Sequence, residues 1–273
     1  MSTLRVRSAA VAGAFYPAHA DELASQVDAY VAEGSQGRWR QNGRSIRAVI
    51  VPHAGYVYSG PVAGVAYAQL AAMRRDVRHV LLLGPAHYVP VHGLAVPSAG
   101  AFATPLGEIA VDEEMRERLL EQPGVAVDDV AHEPEHSLEV QLPFLQRTLP
   151  GTDVLPVIVG RAAPNEVADV LEPWADDPRT ILVVSSDLSH YLDYRTARYR
   201  DAATAAAIVA RRADAIQDDD ACGSRPVRGL LELARRRGWT VDLLDLRNSG
   251  DTAGPRSQVV GYGAFVVTEE ETE

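Results

Sequence analysis

Three short segments of this chain collect residues able to do chemistry. They are Pro52-His53-Ala54-Gly55-Tyr56, Gly84-Pro85-Ala86-His87 and Ser185-Ser186-Asp187-Leu188-Ser189-His190. Each delivers a histidine just after an apolar run. Neutral imidazole is the commonest metal-ligating side chain and titrates near neutral pH. His53 and His87 lie too far apart to share a helix face and suit two ligands from neighbouring strand ends. Asp187 and His190 are close enough in sequence to face one side of a turn, where a carboxylate can orient or activate an imidazole. Cys222 precedes Gly223 and a predicted helix, and a helix N-terminus favours thiolate. Two imidazoles joined by a thiolate would make a borderline-to-soft metal site with room for substrate or water. Glu135-His136-Ser137 enters another predicted helix, where it either caps the helix or contributes Glu135 and His136 to the cavity wall. Tyr16, Tyr56 and Tyr191 flank these motifs and either line a pocket or pack. His19, His79, His92 and His132 lack comparable neighbours and read as surface or structural.

Composition removes many alternatives. Every one of the 26 basic residues is arginine, so no Schiff base, P-loop lysine or lysine general base exists. The single cysteine excludes an intrachain disulfide and a Cys-x-x-Cys zinc site. There is no G-x-S-x-G elbow, no G-x-G-x-x-G turn and no P-loop. Ser185, Ser186 and Ser189 lie near Asp187 and His190, but no spacing singles out a nucleophile. A net charge of −11 is a poor footprint for nucleic acid. No apolar run approaches a membrane span, and the N-terminus lacks the apolar core of a secretory signal. The expected location is therefore the cytoplasm. Arginine in place of lysine, with frequent alanine, suggests a GC-rich bacterial genome.

The elements that must position these residues alternate between strand and helix. Apolar, β-branched runs at 46–51, 79–83, 154–159 and 180–184 read as buried strands, and 240–246 and 258–267 as closing strands. Helical patterns are predicted over 21–31, 61–73, 165–174, 196–213 and 225–237, with an amphipathic segment over 136–149 that Pro143 kinks or divides. Continuous apolar strands separated by helices indicate an α/β sheet covered on both faces. In such sheets, loops at the carboxyl ends of the strands converge on a ligand crevice. The three histidine segments occupy those loops.

Taken in order, Ala12-Gly13-Ala14-Phe15-Tyr16-Pro17, PHAGYVYSG from Pro52, GPAH from Gly84, EHSLEVQLPFL from Glu135, SSDLSHY from Ser185, CGSRPV from Cys222 and the closing GYGAFVV resemble the Memo family over nearly the whole chain. Its bacterial members are called AmmeMemoRadiSam system protein B and are associated with an AMMECR-type protein and a radical SAM protein. The resemblance implies a single α/β domain over 1–268, while the composition of the C-terminus reads as an acidic tail at 269–273. Its central sheet would be mixed and largely parallel, covered by helices and similar to the class III extradiol dioxygenases. It implies His53, His87 and Cys222 as metal ligands, with Asp187 and His190 around the same pocket. Family members often carry a second histidine after the GP-x-H motif, where this chain has Tyr88. A cysteine ligand also departs from the two-histidine, one-carboxylate pattern of non-haem iron dioxygenases.

The leading expectation is a mononuclear iron(II) or copper protein with redox or oxygen chemistry on a small substrate. In it, His190 acts as acid or base and Asp187 orients it. A non-catalytic adaptor working with the two associated proteins is the second expectation. Zinc-assisted hydrolysis is the third.

Overall fold

Runs of valine, isoleucine and leucine without polar interruption form the centre of the fold. The computed structural model describes residues 5–37, 39, 41, 43–73 and 76–270. In chain order the elements are β1 (Val6–Arg7), α1 (Ala20–Gly34), β2 (Arg44–Val51), α2 (Tyr56–Ala71), β3 (His79–Pro85), β4 (Leu94–Val96), β5 (Ala101–Thr104) and β6 (Gly107–Ala110). They continue with α3 (Glu113–Leu120), β7 (Val125–Val127), α4 (Asp129–His132), α5 (His136–Glu139), α6 (Leu142–Thr148), β8 (Asp153–Val159) and α7 (Pro164–Leu171). The last are β9 (Thr180–Ser185), β10 (His190–Leu192), α8 (Tyr194–Val209), α9 (Ser224–Arg237), β11 (Thr240–Asn248) and β12 (Val259–Glu270).

The main sheet has the order β10-β12-β2-β9-β3-β8-β4-β7, with β11 on β12. Its middle, β2-β9-β3-β8, is parallel, while β12 and β4 join its two sides antiparallel. Val80, Leu81, Leu82 and Leu83 are all fully buried. Successive strand residues point to opposite faces, so both faces of this sheet are covered. Helices α2 and α9 pack on it, backed by α1 and α7 respectively. A small sheet, β1-β5-β6, stands apart. The molecule is one α/β domain with mixed sheets.

The differences from the sequence reading have local causes. Helix α2 starts at Tyr56 rather than near Pro61, so Pro61 lies inside it. A proline favours the first helical turn, which makes it a misleading start signal here. The segment 136–149 divides into α5 and α6, with Pro143 in the first turn of the second piece. The short strands β1, β4, β5, β6, β7 and β10 carry too few residues to show a pattern. Glu269 and Glu270 continue β12, opposite Ser45 and Arg44, and Glu269 pairs with Arg47. Residues 271–273 of the expected tail lie outside the described residues.

Candidate metal centre

Strands β2, β9 and β3 are parallel neighbours, so their carboxyl ends set His53, the Asp187 loop and His87 side by side. A fourth piece arrives from α5. A Cβ on Gly84 would lie 2.6 Å from Ser137 Oγ and 2.9 Å from a Leu138 methyl. The missing side chain is therefore what lets α5 approach the end of β3. That approach brings in His136. Ring centroids are 5.2 Å apart for His53 and His87, 5.5 Å for His53 and His136, and 4.5 Å for His87 and His136. One ligand atom from each of these three histidines lies within 4.8 Å of the others. They sit on the wall of a cavity of about 650 Å³, with Phe15, Tyr58, Asp187, His190 and Cys222 also lining it.

Hydrogen bonds fix which nitrogen of the first two rings faces the cavity. Ser185 Oγ donates its only proton to the Ser137 carbonyl at 2.7 Å. It therefore accepts from His53 Nδ1, 2.9 Å away, which leaves Nε2 unprotonated and facing the Cys222 Sγ. Gln141 Nε2 also donates to that hydroxyl, at 2.8 Å, and to the Pro52 carbonyl at 2.9 Å. The His87 ring donates from Nδ1 to Glu135 at 2.9 Å, and its backbone N–H donates to the same carboxylate at 2.7 Å. A carboxylate behind a histidine orients the ring and fixes its tautomer. Burial opposes the charge on Glu135, but the His87 and Ser137 hydrogen bonds outweigh it and hold its carboxyl at about 2. Burial, then the neighbouring His87, lowers the His136 imidazole to about 4. Burial and the His87, His136 and His190 rings also push His53 well below its ordinary value. His53 and His136 are therefore neutral at pH 7, the form that binds metal. His136 Nδ1 lies 3.1 Å from the Tyr88 hydroxyl.

Several residues take places other than those expected. Asp187 does not reach for His190. Its Oδ1 accepts the backbone N–H of His53 at 2.7 Å, so it fixes the end of β2 rather than an imidazole. Burial pushes its carboxyl up to about 7. Burial lowers the His190 imidazole, against a hydrogen bond to the Leu188 backbone. Cys222 does not belong to the three-histidine group, although its Sγ lies 3.1 Å from His53 Nε2. Burial, then Asp187, pushes its thiol up. Gly223 allows this approach: a Cβ there would lie 2.6 Å from Ser186 Cβ and 2.7 Å from the Ser185 carbonyl.

Tyr16 and Tyr56 are not lining residues. The Tyr16 hydroxyl donates to Glu139 at 2.6 Å and that of Tyr56 to the Val140 carbonyl at 2.7 Å, and both rings are buried. Phe15, Tyr58, Tyr191 and Tyr262 line the cavity instead. Glu135 stands behind His87, and His136 is in the wall itself. Ser185 and Ser186 are buried and hydrogen-bonded to carbonyls, which removes the serine-nucleophile option for both. Gln141 escaped the sequence reading. Its one signal was a lone amide between apolar residues.

A family model described as Memo-like protein matches residues 7–266. A MEMO1 family protein of Aquifex aeolicus is 36% identical over 95% of this chain and 98% of its own. One from Aeropyrum pernix is 35% identical over 97% and 100%. One from Caldivirga maquilingensis is 32% identical over 95% and 98%. The crystal structure of uncharacterized protein JW3007 from Escherichia coli K12 aligns with a TM-score of 0.48 at 13% identity, over 80% of this chain and 99% of that one, too distant to bear on fold or function. Nearly full-length matches of this kind show that the chain belongs to the Memo family.

Proposed function

We propose that this Memo-family chain is a mononuclear metal protein with redox or oxygen chemistry on a small substrate. The metal is iron(II) or copper, with zinc the less favoured occupant. The observation that supports this reading is the convergence of His53, His87 and His136 on one cavity wall. The donor set fits such an ion. His53 and His87 each have Nδ1 hydrogen-bonded, which leaves Nε2 as the ligating atom, on His53 beside the Cys222 Sγ. Imidazole suits iron, copper and zinc, and the adjacent Cys222 shifts the preference toward softer ions. His53, His87 and His136 would hold the metal, with Cys222 as an added donor on the His53 side. When bound, the metal would supply Lewis acidity and an electron-transfer couple.

The remaining residues have separable tasks. Asp187 holds the His53 backbone and so aims the ring. Glu135 holds the ring and backbone of His87. His190, neutral on the cavity wall, accepts a proton from the substrate. Phe15, Tyr58 and Tyr191 line the same cavity and offer aromatic surface to the substrate. Similarity to the class III extradiol dioxygenases is part of this reading at the level of architecture, and ring cleavage is not required by it.

A second reading, an adaptor acting with an AMMECR-type protein and a radical SAM protein, draws support from the surface. Tyr88 and Tyr191 are 53% and 71% exposed beside His136 and His190 respectively, so aromatic surface at the site is open to a partner protein. Metal analysis of untagged protein, paired with oxygen uptake in the presence of small phenolic and aliphatic substrates, separates the two readings. Stoichiometric iron or copper with substrate-dependent oxygen uptake is the expected result. A stoichiometric complex with the AMMECR-type protein that survives His53→Ala, without metal in either form, would replace the first reading with the second.

A further inference from the structure

A second cavity, of about 420 Å³, adjoins the first, and Cys222 lines both. Its chemistry differs. Arg161, Arg225 and His92 line it against one carboxylate, Asp218. That carboxylate is already shared, at 2.8 Å to Arg225 and 2.8 Å to Arg228. Among the described residues the Arg161 guanidinium has no hydrogen-bond or ion-pair partner, in a chain whose net charge is −11. Its backbone is nevertheless fixed: the Arg161 N–H donates to the Val91 carbonyl at 2.8 Å, and the Gly93 N–H to the Arg161 carbonyl at 2.9 Å. Arg161 follows β8 and His92 follows β3, so this cavity lies at the same sheet edge as the histidines.

We infer that this cavity is an anion subsite that receives the carboxylate or phosphate end of the substrate whose reacting end lies at His53, His87 and His136. The inference rests on the metal-centre reading for the second half of that statement only. A planar guanidinium with no protein partner, held on a rigid strand end, presents a fork that matches carboxylate and phosphate oxygens. The excess of cations over carboxylates in a concave wall concentrates anions there. Cys222, as the common wall, sets the passage between the two ends.

Two measurements test it. Inorganic phosphate titrated calorimetrically into metal-free protein should bind in a salt-sensitive manner. Arg161→Gln should weaken it about tenfold, the loss of one charge-assisted contact. Arg198→Gln, outside this cavity, should leave it unchanged. No phosphate binding, or equal binding to Arg161→Gln, overturns the subsite. The second measurement asks whether the anion belongs to the metal-site substrate or acts alone. Alkylation of Cys222 by iodoacetate, relative to neutral iodoacetamide, should be faster in the parent than in Arg161→Gln, because a docked carboxylate presents its CH2 carbon to Sγ. An equal ratio in the two proteins, or no reaction with either reagent, overturns the continuity of the two cavities and leaves a free-anion site. A protein that binds phosphate as expected but no metal would refute the metal centre and keep the subsite.

Discussion

Helix α5, one turn long, separates two clusters of polar side chains, one buried and one opening on a cavity, that follow different rules. At its far end Glu139, fully buried, accepts from the Arg7 guanidinium, the backbone N–H groups of Ala10 and Val11 at 2.8 and 3.0 Å, and the Tyr16 hydroxyl at 2.6 Å. The charge is matched and both carboxylate oxygens are engaged. This cluster ties the N-terminal segment to the core, and nothing in it remains to bind a ligand. At its near end Glu135 and His136 join His87 and His53. There the hydrogen bonds leave ligating atoms over: Nδ1 of His53 and of His87 is engaged, while Nε2 of His87 has no protein partner among the described residues and that of His53 meets only the Cys222 Sγ. A buried polar group with every valence filled is a structural tie. One with an aimed, unfilled lone pair on a cavity wall is a place for an ion or substrate.

The largest expected effect comes from breaking the filled cluster. Glu139→Ala leaves the Arg7 cation buried without its partner and should cost about 3–5 kcal/mol of stability by urea unfolding. Metal affinity of the folded fraction should be unchanged.

Glu135→Gln attacks the open cluster and should act chiefly on metal binding. It removes the orienting charge behind His87 and should weaken metal binding by about 10–100-fold. It also removes an acid-sensitive contribution. The Glu135 carboxyl sits at about 2 in the fold against an ordinary 4.5. The stability it gives is thus present above pH 4.5 and lost as pH falls through about 2. Acid unfolding followed by circular dichroism should show that loss in the parent and a shallower one in the variant.

Asp187 should act with the opposite sign. Its folded value of about 7 lies above the ordinary 3.8. The fold therefore holds the proton that the unfolded chain releases, and metal-free stability declines as pH rises from 3.8 toward about 7. Asp187→Asn keeps an acceptor for the His53 N–H and should flatten that decline, read as denaturation midpoints across pH 4–7.5.

The smallest effect belongs to Tyr191, on the cavity wall. Tyr191 has φ 58°, a backbone region that aromatic residues rarely adopt, and its side chain is mostly exposed. Tyr191→Asn should raise stability by about 1 kcal/mol without altering metal content.

The same contrast explains what could be read in the sequence. Strands β2, β3, β8 and β9 were legible because a strand buried on both faces must be apolar at every position, as Val80 to Leu83 are. Their carboxyl ends then located His53, His87 and the Asp187 loop. His136 was legible only as an alternative to a cap. Its arrival beside His87 depends on the absent side chain of Gly84, a tertiary contact that no local pattern records. The partner of Asp187 was misread for a related reason. Spacing places Asp187 near His190, but β2 runs directly beside β9 and supplies the His53 N–H instead. Tyr16 and Tyr56 flank motif residues in sequence yet point into the core, because their hydroxyls find Glu139 and the Val140 carbonyl.

The most direct test of the metal centre is an iron(II) and copper titration of the parent, His53→Ala, His87→Ala, His136→Ala and Cys222→Ser under one set of conditions. One ion per chain is expected in the parent, with stoichiometric binding lost in each histidine variant and kept, more weakly for copper, in Cys222→Ser. If His136→Ala binds like the parent while Cys222→Ser does not, the three-histidine set is wrong and His53, His87 and Cys222 take its place. Parent-like binding in His53→Ala would contradict a metal centre at this site altogether.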